Sequence, residues 1–368
     1  MKIALIQPRV SYFTGGGEKL PLIHAKYLAL AGIDVTIYTT KQEKQSFLYE
    51  GLLGLKLDHL QVKEFEVPEK FKYLYEQKAG EDRNRWDTEC LFFNSLVFDE
   101  LRNDRPDLVL SYYILDGVIR PAELKGALYL LGYPSDQLSL RRSLLRFFDA
   151  TISVSSGVKN NWGDQLKEVN KNFVLNSGVE KSVSGKKIVS EFKNNIVFAG
   201  RLVERKGLIT LLESFKKLGN EDSSHLWIIG DGPQKEQIEK SIDQYNLKDK
   251  VTLTGLVENA SDYFEMANIC VFPSYEGEGL MGVVLEAMLC GRAVITTINN
   301  GNEDVITNGK NGILIPSRDS ETLTNELKKL LTNDDLRISL GEEARRYAEM
   351  NLNWEEFTNK FINILKQI

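Results

Sequence analysis

Histidine and cysteine are scarce in this chain, with three of each among 368 residues, and the scarcity removes several chemistries at the outset. Cys90, Cys270 and Cys290 are widely spaced and odd in number, which suits neither a disulfide framework nor a zinc ligand set. Long apolar runs are missing too. Stretches such as Leu108 to Leu115 and Gly126 to Gly132 stop far short of the roughly 20 residues that span a bilayer, so no transmembrane helix is expected. Met1, Lys2 and Ile3 lead straight into a strand-like segment, without the charged, apolar and small-residue regions of a secretory leader. Nor is there an excess of positive charge. Lys and Arg total 46 against 52 Asp and Glu, and the net charge of −6 supplies no basic field for a phosphate backbone. Nucleic acid is therefore not an expected partner, and the cytoplasm is the expected compartment.

What is present reads as an ordinary globular composition, 42% hydrophobic and 27% charged, on a chain longer than one core usually supports. Two domains are expected. Short β-branched runs alternate with helix-period segments at Lys2 to Pro8, Asp34 to Thr40, Val62 to Val67, Asp107 to Tyr113, Ala127 to Gly132 and Ala150 to Ser155. The alternation restarts after a polar stretch, Glu180 to Asn195, with Ile196 to Gly200, Leu226 to Gly230, Val251 to Gly255, Ile269 to Pro273, Ala293 to Thr297 and Gly312 to Pro316. Near-continuous apolar strands belong to parallel sheets covered on both faces, so the pattern predicts two doubly wound α/β halves. The turn signal Asn176-Ser177-Gly178 puts the boundary after residue 178, with a first domain over 1–178 and a second over 179–352. A last amphipathic helix over 353–368 carries Phe357, Phe361, Ile364 and Leu365 at helical spacing.

Ligands of such sheets bind beyond the carboxyl ends of the strands, which directs attention to four segments. Gly15, Gly16 and Gly17 precede Glu18 at a helix start, either as a cradle of unhindered N–H groups for an anion or as a plain flexible loop. After the first strand of the second half, Arg201, Arg205 and Lys206 gather positive charge suited to a diphosphate, or to nothing more than a solvated loop. Gly230-Asp231-Gly232-Pro233 ends the next strand where a ligand can approach the backbone, or forms a tight turn. The fourth segment runs from Phe272 to Met288, a strand end, a Gly-rich loop and a helix, with Glu278 before the helix and Glu286 one turn inside it. Amides from Leu280 through Met281 and Gly282 to Val283 can hold phosphate oxygens, while exposed glutamates in such a place also serve as simple caps.

These residues resemble the signature of glycosyltransferase family 4: Pro273-Ser274, an acidic Gly loop, two glutamates with seven residues between them, then Ala287-Met288 and Cys290-Gly291. Supporting matches follow in order at Gly200-Arg201, Lys206-Gly207, Gly230 to Pro233, Gly255, Gly301, Glu303 and Gly312. Asn176-Ser177-Gly178-Val179 resembles the family's interdomain segment, and Trp354 its aromatic residue before the closing helix. The resemblance implies a GT-B fold, two Rossmann-like doubly wound parallel-sheet domains facing a central cleft, with the C-terminal helix crossing back to the N-terminal domain. It implies a retaining transfer of a sugar from a nucleotide-diphosphate sugar, a UDP- or GDP-sugar, to a hydroxyl acceptor in polysaccharide, glycolipid or other glycoconjugate synthesis. Arg201 and Lys206 would hold the diphosphate, Glu286 the ribose, Glu278 the transferred sugar, and Val257 with Glu258 the base. The nucleotide sugar is a substrate; no cofactor and no metal are implied. Asp-X-Asp, the pairing used by glycosyltransferases that bind their diphosphate through a divalent ion, does not occur.

The chain also departs from the family. Many relatives carry a histidine after a strand in the middle of the N-terminal domain, where this sequence has Ser111-Tyr112-Tyr113. Asp116 or Asp136 stands nearby, with a solvated loop aspartate as the plainer reading. Glu276 and Glu278 both offer a register for the sugar-contacting glutamate, and the spacing to Glu286 selects Glu278. A saccharide, lipid-linked or small-molecule acceptor is expected on the N-terminal domain. There Arg141, Arg142 and Arg146 interleave with Leu144, Leu145, Phe147 and Phe148, and Lys70, Lys72 and Lys78 with Phe71, Tyr73 and Tyr75. Such stretches either rest on an anionic membrane, giving peripheral contact with the inner face of the plasma membrane, or pack as ordinary amphipathic elements. Two rival readings are a non-hydrolysing UDP-sugar 2-epimerase and a catalytically silent nucleotide-sugar binder.

Overall fold

The computed structural model describes residues 1–12, 16–75, 83–133, 143–180, 187–219, 223–275, 277–298 and 301–368. The chain divides into two units, Met1–Leu175 with Glu355–Ile368, and Asn176–Trp354. In the first, β1 (Lys2–Ile6), β2 (Asp34–Thr40), β3 (Leu60–Phe65), β4 (Leu108–Ser111), β5 (Lys125–Leu130), β6 (Ala150–Ser153) and β7 (Lys171–Val174) form a seven-stranded sheet in the order β3-β2-β1-β4-β5-β6-β7. In the second, β8 (Asn194–Ala199), β9 (Ser224–Ile229), β10 (Val251–Gly255), β11 (Ile269–Phe272), β12 (Ala293–Thr297) and β13 (Ile313–Ile315) form a six-stranded sheet in the order β10-β9-β8-β11-β12-β13. Pairing is parallel throughout, as the apolar runs require, and β4, β6, β8 and β11 are buried at every residue.

Twelve strands fall where the apolar runs place them, within a few residues at their ends. The seventh strand of the first unit, Lys171–Val174, has no such run. Its sequence Lys-Asn-Phe-Val is polar and partly exposed because it lies at the sheet edge, paired to β6 alone. In each sheet the strand order reverses direction between two central neighbours, β1 and β4 in one, β8 and β11 in the other. A crevice opens at such a switch point because the connections leave toward opposite faces.

The Gly16–Leu30 helix follows β1 and carries His24, which is fully buried. The last helix, Trp354–Leu365, covers it: the Phe357 ring stacks on His24 at 4.6 Å between centroids, and Phe361 meets it at 5.1 Å. Tyr129 of β5 closes the cluster, and Tyr112 shares a 2.6 Å hydrogen bond with His24 Nδ1. The apolar stripe predicted for 353–368 is therefore used by the first unit, with Phe357, Phe361 and Leu365 all buried. The basic-aromatic stretches of this unit are short 3₁₀ turns, Glu69–Tyr75 and Leu144–Phe147. Leu74 and Leu145 point into the protein while Tyr73 and Phe147 are exposed. Lys78, Asp136, Arg141 and Arg142 lie outside the described residues. Among those described, no helix is long and apolar enough to cross a membrane.

Burial pulls the His24 pKa down to about 3, so the ring is neutral near pH 7 when the first unit is folded. The folded value lies below the unfolded one, so this group's stabilisation is complete above about pH 6.5 and is lost as the pH falls toward 3. Urea unfolding at pH 7 and pH 5 tests this: the unmodified protein is expected to lose roughly 2 kcal/mol more than His24→Leu over that interval. Parallel losses would show that His24 is not the titrating group.

Candidate active site

The site is assembled at the switch point of the second sheet, where the loops after β8, β9 and β11 lie side by side. Beyond β8, the turn Glu204–Lys206 is closed by Gly207 in a left-handed conformation, φ +69°. A Cβ at Gly207 would sit 2.0 Å from the Pro273 carbonyl oxygen, so no other residue lets the β8 loop lie this close to the end of β11. The two loops are then joined by the Tyr275 N–H, which donates to the Arg205 carbonyl at 2.7 Å. On the other flank Gly230, φ +132°, lets the β9 loop meet the Gly200 carbonyl, which a Cβ would approach to 2.0 Å. Leu202 N–H donates to Asp231 at 2.9 Å and completes the three-loop platform.

This backbone union brings together side chains far apart in sequence. Lys206 Nζ lies 3.1 Å from Glu278 Oε1, and Arg205 Nε lies 3.3 Å from the same oxygen. Lys206 and Glu278 are mostly enclosed, at 15% and 12% side-chain exposure, where an ion pair is less screened than on the surface. Met281 is buried beneath them, its sulfur 3.8 Å from Lys206 Nζ and 3.3 Å from Ser274 Oγ. Tyr275 is held from both sides, by Thr210 at its hydroxyl, 3.3 Å, and by the Arg318 guanidinium 3.6 Å from its ring centroid.

The helix Gly282–Leu289 starts directly after Met281, which adopts an extended conformation, φ −82°, open to any L-residue. The amides of this segment differ in what they already bind. The Met281 amide is already engaged, donating at 3.1 Å to Oδ1 of Asn302, a fully buried side chain that in turn donates to Thr296 Oγ1 at 3.1 Å. The Gly282 and Val283 amides belong to the first turn, where the helix offers no acceptor, and Gly282 is exposed. Glu286 stands one turn further, half-buried, and Leu280 half-buried before the helix. Arg201 is half-buried just beyond β8; after β10, Val257 is half-buried and Glu258 exposed. Glu276, the alternative register, and Gly15 lie outside the described residues. Gly16 and Gly17 open the Gly16–Leu30 helix of the first unit.

Asn302 was not singled out by the sequence, since an asparagine beside Gly301 reads as a turn residue. A second omission lies at the switch point of the first sheet. Arg9, just beyond β1, is 3% exposed, and its guanidinium reaches Asp116 Oδ2 at 3.3 Å, Glu18 at 3.7 Å, Glu89 at 3.9 Å and the Cys90 sulfur at 3.1 Å. Asp116 is thus buried and ion-paired, not a solvated loop residue. Burial raises the pKa of Asp116 and of Glu18, opposed in both by the Arg9 charge. The signal that could have found Arg9 is a charged residue at the end of a central strand.

Residues 181–347 match the family described as glycosyl transferases group 1. The chain carries a group 1 glycosyltransferase domain. The matched segment contains every residue of the second-sheet site, the two cations, Glu278, Met281 and Glu286 included. Among curated relatives, an uncharacterized glycosyltransferase of Methanocaldococcus jannaschii is 28% identical over 251 residues, 62% of this chain and 64% of that protein. The chain thus spans slightly less than two-thirds of that relative's length. The lipopolysaccharide core biosynthesis glycosyltransferase LpsE of Rhizobium meliloti is 24% identical over 72% of this chain and 77% of its own. Among solved structures, HepE of Anabaena in complex with UDP-glucose superposes with a TM-score of 0.79 at 16% identity, covering 100% of both chains. The glycosyltransferase domain and its N-terminal companion therefore have the GT-B fold of two Rossmann-like α/β units.

Because the platform depends on the contact at Gly207, Gly207→Ala is expected to destabilise the second unit by more than about 2 kcal/mol, combining left-handed strain with the clash. Thermal unfolding checks this, and a melting temperature equal to that of the unmodified protein would contradict the reading of the turn.

Proposed function

We propose that the chain moves a sugar from a nucleotide-diphosphate sugar, UDP- or GDP-linked, to a hydroxyl acceptor, with retention at the anomeric carbon, in the synthesis of a polysaccharide or another glycoconjugate. One observation carries this reading: Lys206, Arg205 and Glu278 meet beside a helix N-terminus at the switch point of the second sheet. The group 1 match over residues 181–347, the lipopolysaccharide relative and the UDP-glucose held by HepE support it.

The chemistry follows from the charges. A departing diphosphate accumulates negative charge on its bridging oxygen, and Lys206 and Arg201 stabilise it with formal charge. The Gly282 and Val283 amides add hydrogen-bond donors and the positive end of the helix dipole. Glu278 faces the transferred sugar beside its reacting carbon, and Glu286 takes the ribose hydroxyls from within the helix. The loop at Val257 and Glu258 holds the base. Gly16 and Gly17 offer backbone amides to an anionic group at the start of their own helix, and the first unit binds the acceptor. Lys206 and Arg201 do the work a divalent ion does elsewhere, so transfer proceeds in excess EDTA.

Hydrolysis and thermal stabilisation across UDP-glucose, UDP-N-acetylglucosamine, UDP-galactose and GDP-mannose test the donor class, since a bound ligand raises stability by mass action. At least one donor is expected to stabilise the protein and lose its sugar, with Lys206→Ala and Glu278→Ala each lowering that rate by at least about 100-fold. Absence of stabilisation by every nucleotide would overturn the reading, and loss of turnover on chelation with recovery in Mn²⁺ would overturn the role given to Lys206 and Arg201.

A further inference from the structure

Resting on the nucleotide-sugar reading of the site, we propose that Arg205 is a positioning residue that holds the Glu278 carboxylate in place while Lys206 is drawn away to the leaving diphosphate. Neither the motif nor the spacing marks Arg205 out from its neighbours; the structure does. Its guanidinium and the Lys206 ammonium converge on one oxygen, Glu278 Oε1, at 3.3 and 3.1 Å. The two cations are consecutive in one short turn, whose backbone is fixed by the Tyr275 N–H bond to the Arg205 carbonyl and by the Gly207 contact with Pro273. The Arg205 backbone is therefore fixed relative to the loop that carries Glu278.

The two partners differ in what they can do next. Lys206 is enclosed at 15% exposure and carries a compact ammonium that can meet a phosphate oxygen as a point charge in a confined site. A diphosphate bears more negative charge than a carboxylate and outcompetes Glu278 for it. Arg205, at 53% exposure, presents a delocalised guanidinium from the solvent side. It stays on Glu278 when Lys206 leaves, keeping the carboxylate oriented toward the sugar. The resting ion pair thus separates into two working parts: Lys206 on the leaving group, Glu278 on the sugar with Arg205 behind it.

The test is a double-mutant cycle on Arg205 and Glu278, using the donor of the four-sugar panel that the unmodified protein hydrolyses fastest. Arg205→Ala is expected to lower kcat about tenfold, a modest loss because the guanidinium is half in solvent. UDP or GDP affinity and donor KM should stay within about twofold of the unmodified protein, the melting temperature should not shift, and Arg205→Lys should recover most of kcat. In a Glu278→Gln background, Arg205→Ala should have no further effect, because Arg205 acts through that carboxylate. Unchanged kcat in Arg205→Ala, or losses that multiply in the double variant, would overturn the proposal while leaving the donor reading intact. Loss of nucleotide affinity in Arg205→Ala would place the guanidinium on the diphosphate instead and overturn it as well. Full activity of Glu278→Gln would fail the underlying assignment of Glu278, a distinct result from either of these.

Discussion

The hydrogen bond from Tyr275 N–H to the Arg205 carbonyl, together with the glycine that makes room for it at 207, is the contact on which the site depends. It welds the loop after β8 to the loop after β11, two strands adjacent in the sheet but separated in sequence by two strands and their helices. Without that union two cations would stand on one loop and a carboxylate on another. With it, they share an oxygen in an enclosed corner beside a helix N-terminus. Opposite charges so placed hold each other in the resting molecule.

Both units place charge at the same topological position and use it differently. At the β8/β11 switch point the Lys206–Glu278 pair is mostly enclosed but keeps some exposure, and Gly282 at the start of the following helix is exposed. At the β1/β4 switch point Arg9 is sealed among Asp116, Glu18 and Glu89. Removing one partner of a buried charged cluster of this kind is costly, so Arg9 fixes the start of the Gly16–Leu30 helix and the loop after β4 as a rigid pair. The first unit is completed from the far end of the sequence. Phe357 and Phe361 cover His24, so an early helix and the final helix make one aromatic cluster.

The sequence makes the sheets legible because buried parallel strands leave unbroken apolar runs, and twelve of them stand out. Lys171–Val174 escapes because an edge strand needs no such run. At the site, the Gly-rich loop, the basic turn and the helix with Glu286 are visible from spacing alone, since each is local. Their mutual contacts are not. That Lys206 reaches Glu278, or that Asn302 braces Met281, depends on loops from different strands meeting in space. Arg9 and Asp116 are hidden for another reason: charged residues near strand ends are usually solvated, and only packing shows that these are buried with one another.

The central claim is that the Lys206–Glu278 pair opens to receive a nucleotide diphosphate. A crystal structure with UDP or GDP, whichever raises the melting temperature more, tests it most directly. Lys206 Nζ is expected within hydrogen-bond distance of a phosphate oxygen, with Glu278 released from it and the diphosphate at the start of the helix Gly282–Leu289. A diphosphate bound elsewhere, or a Lys206 still paired to Glu278 with the nucleotide in place, would contradict it.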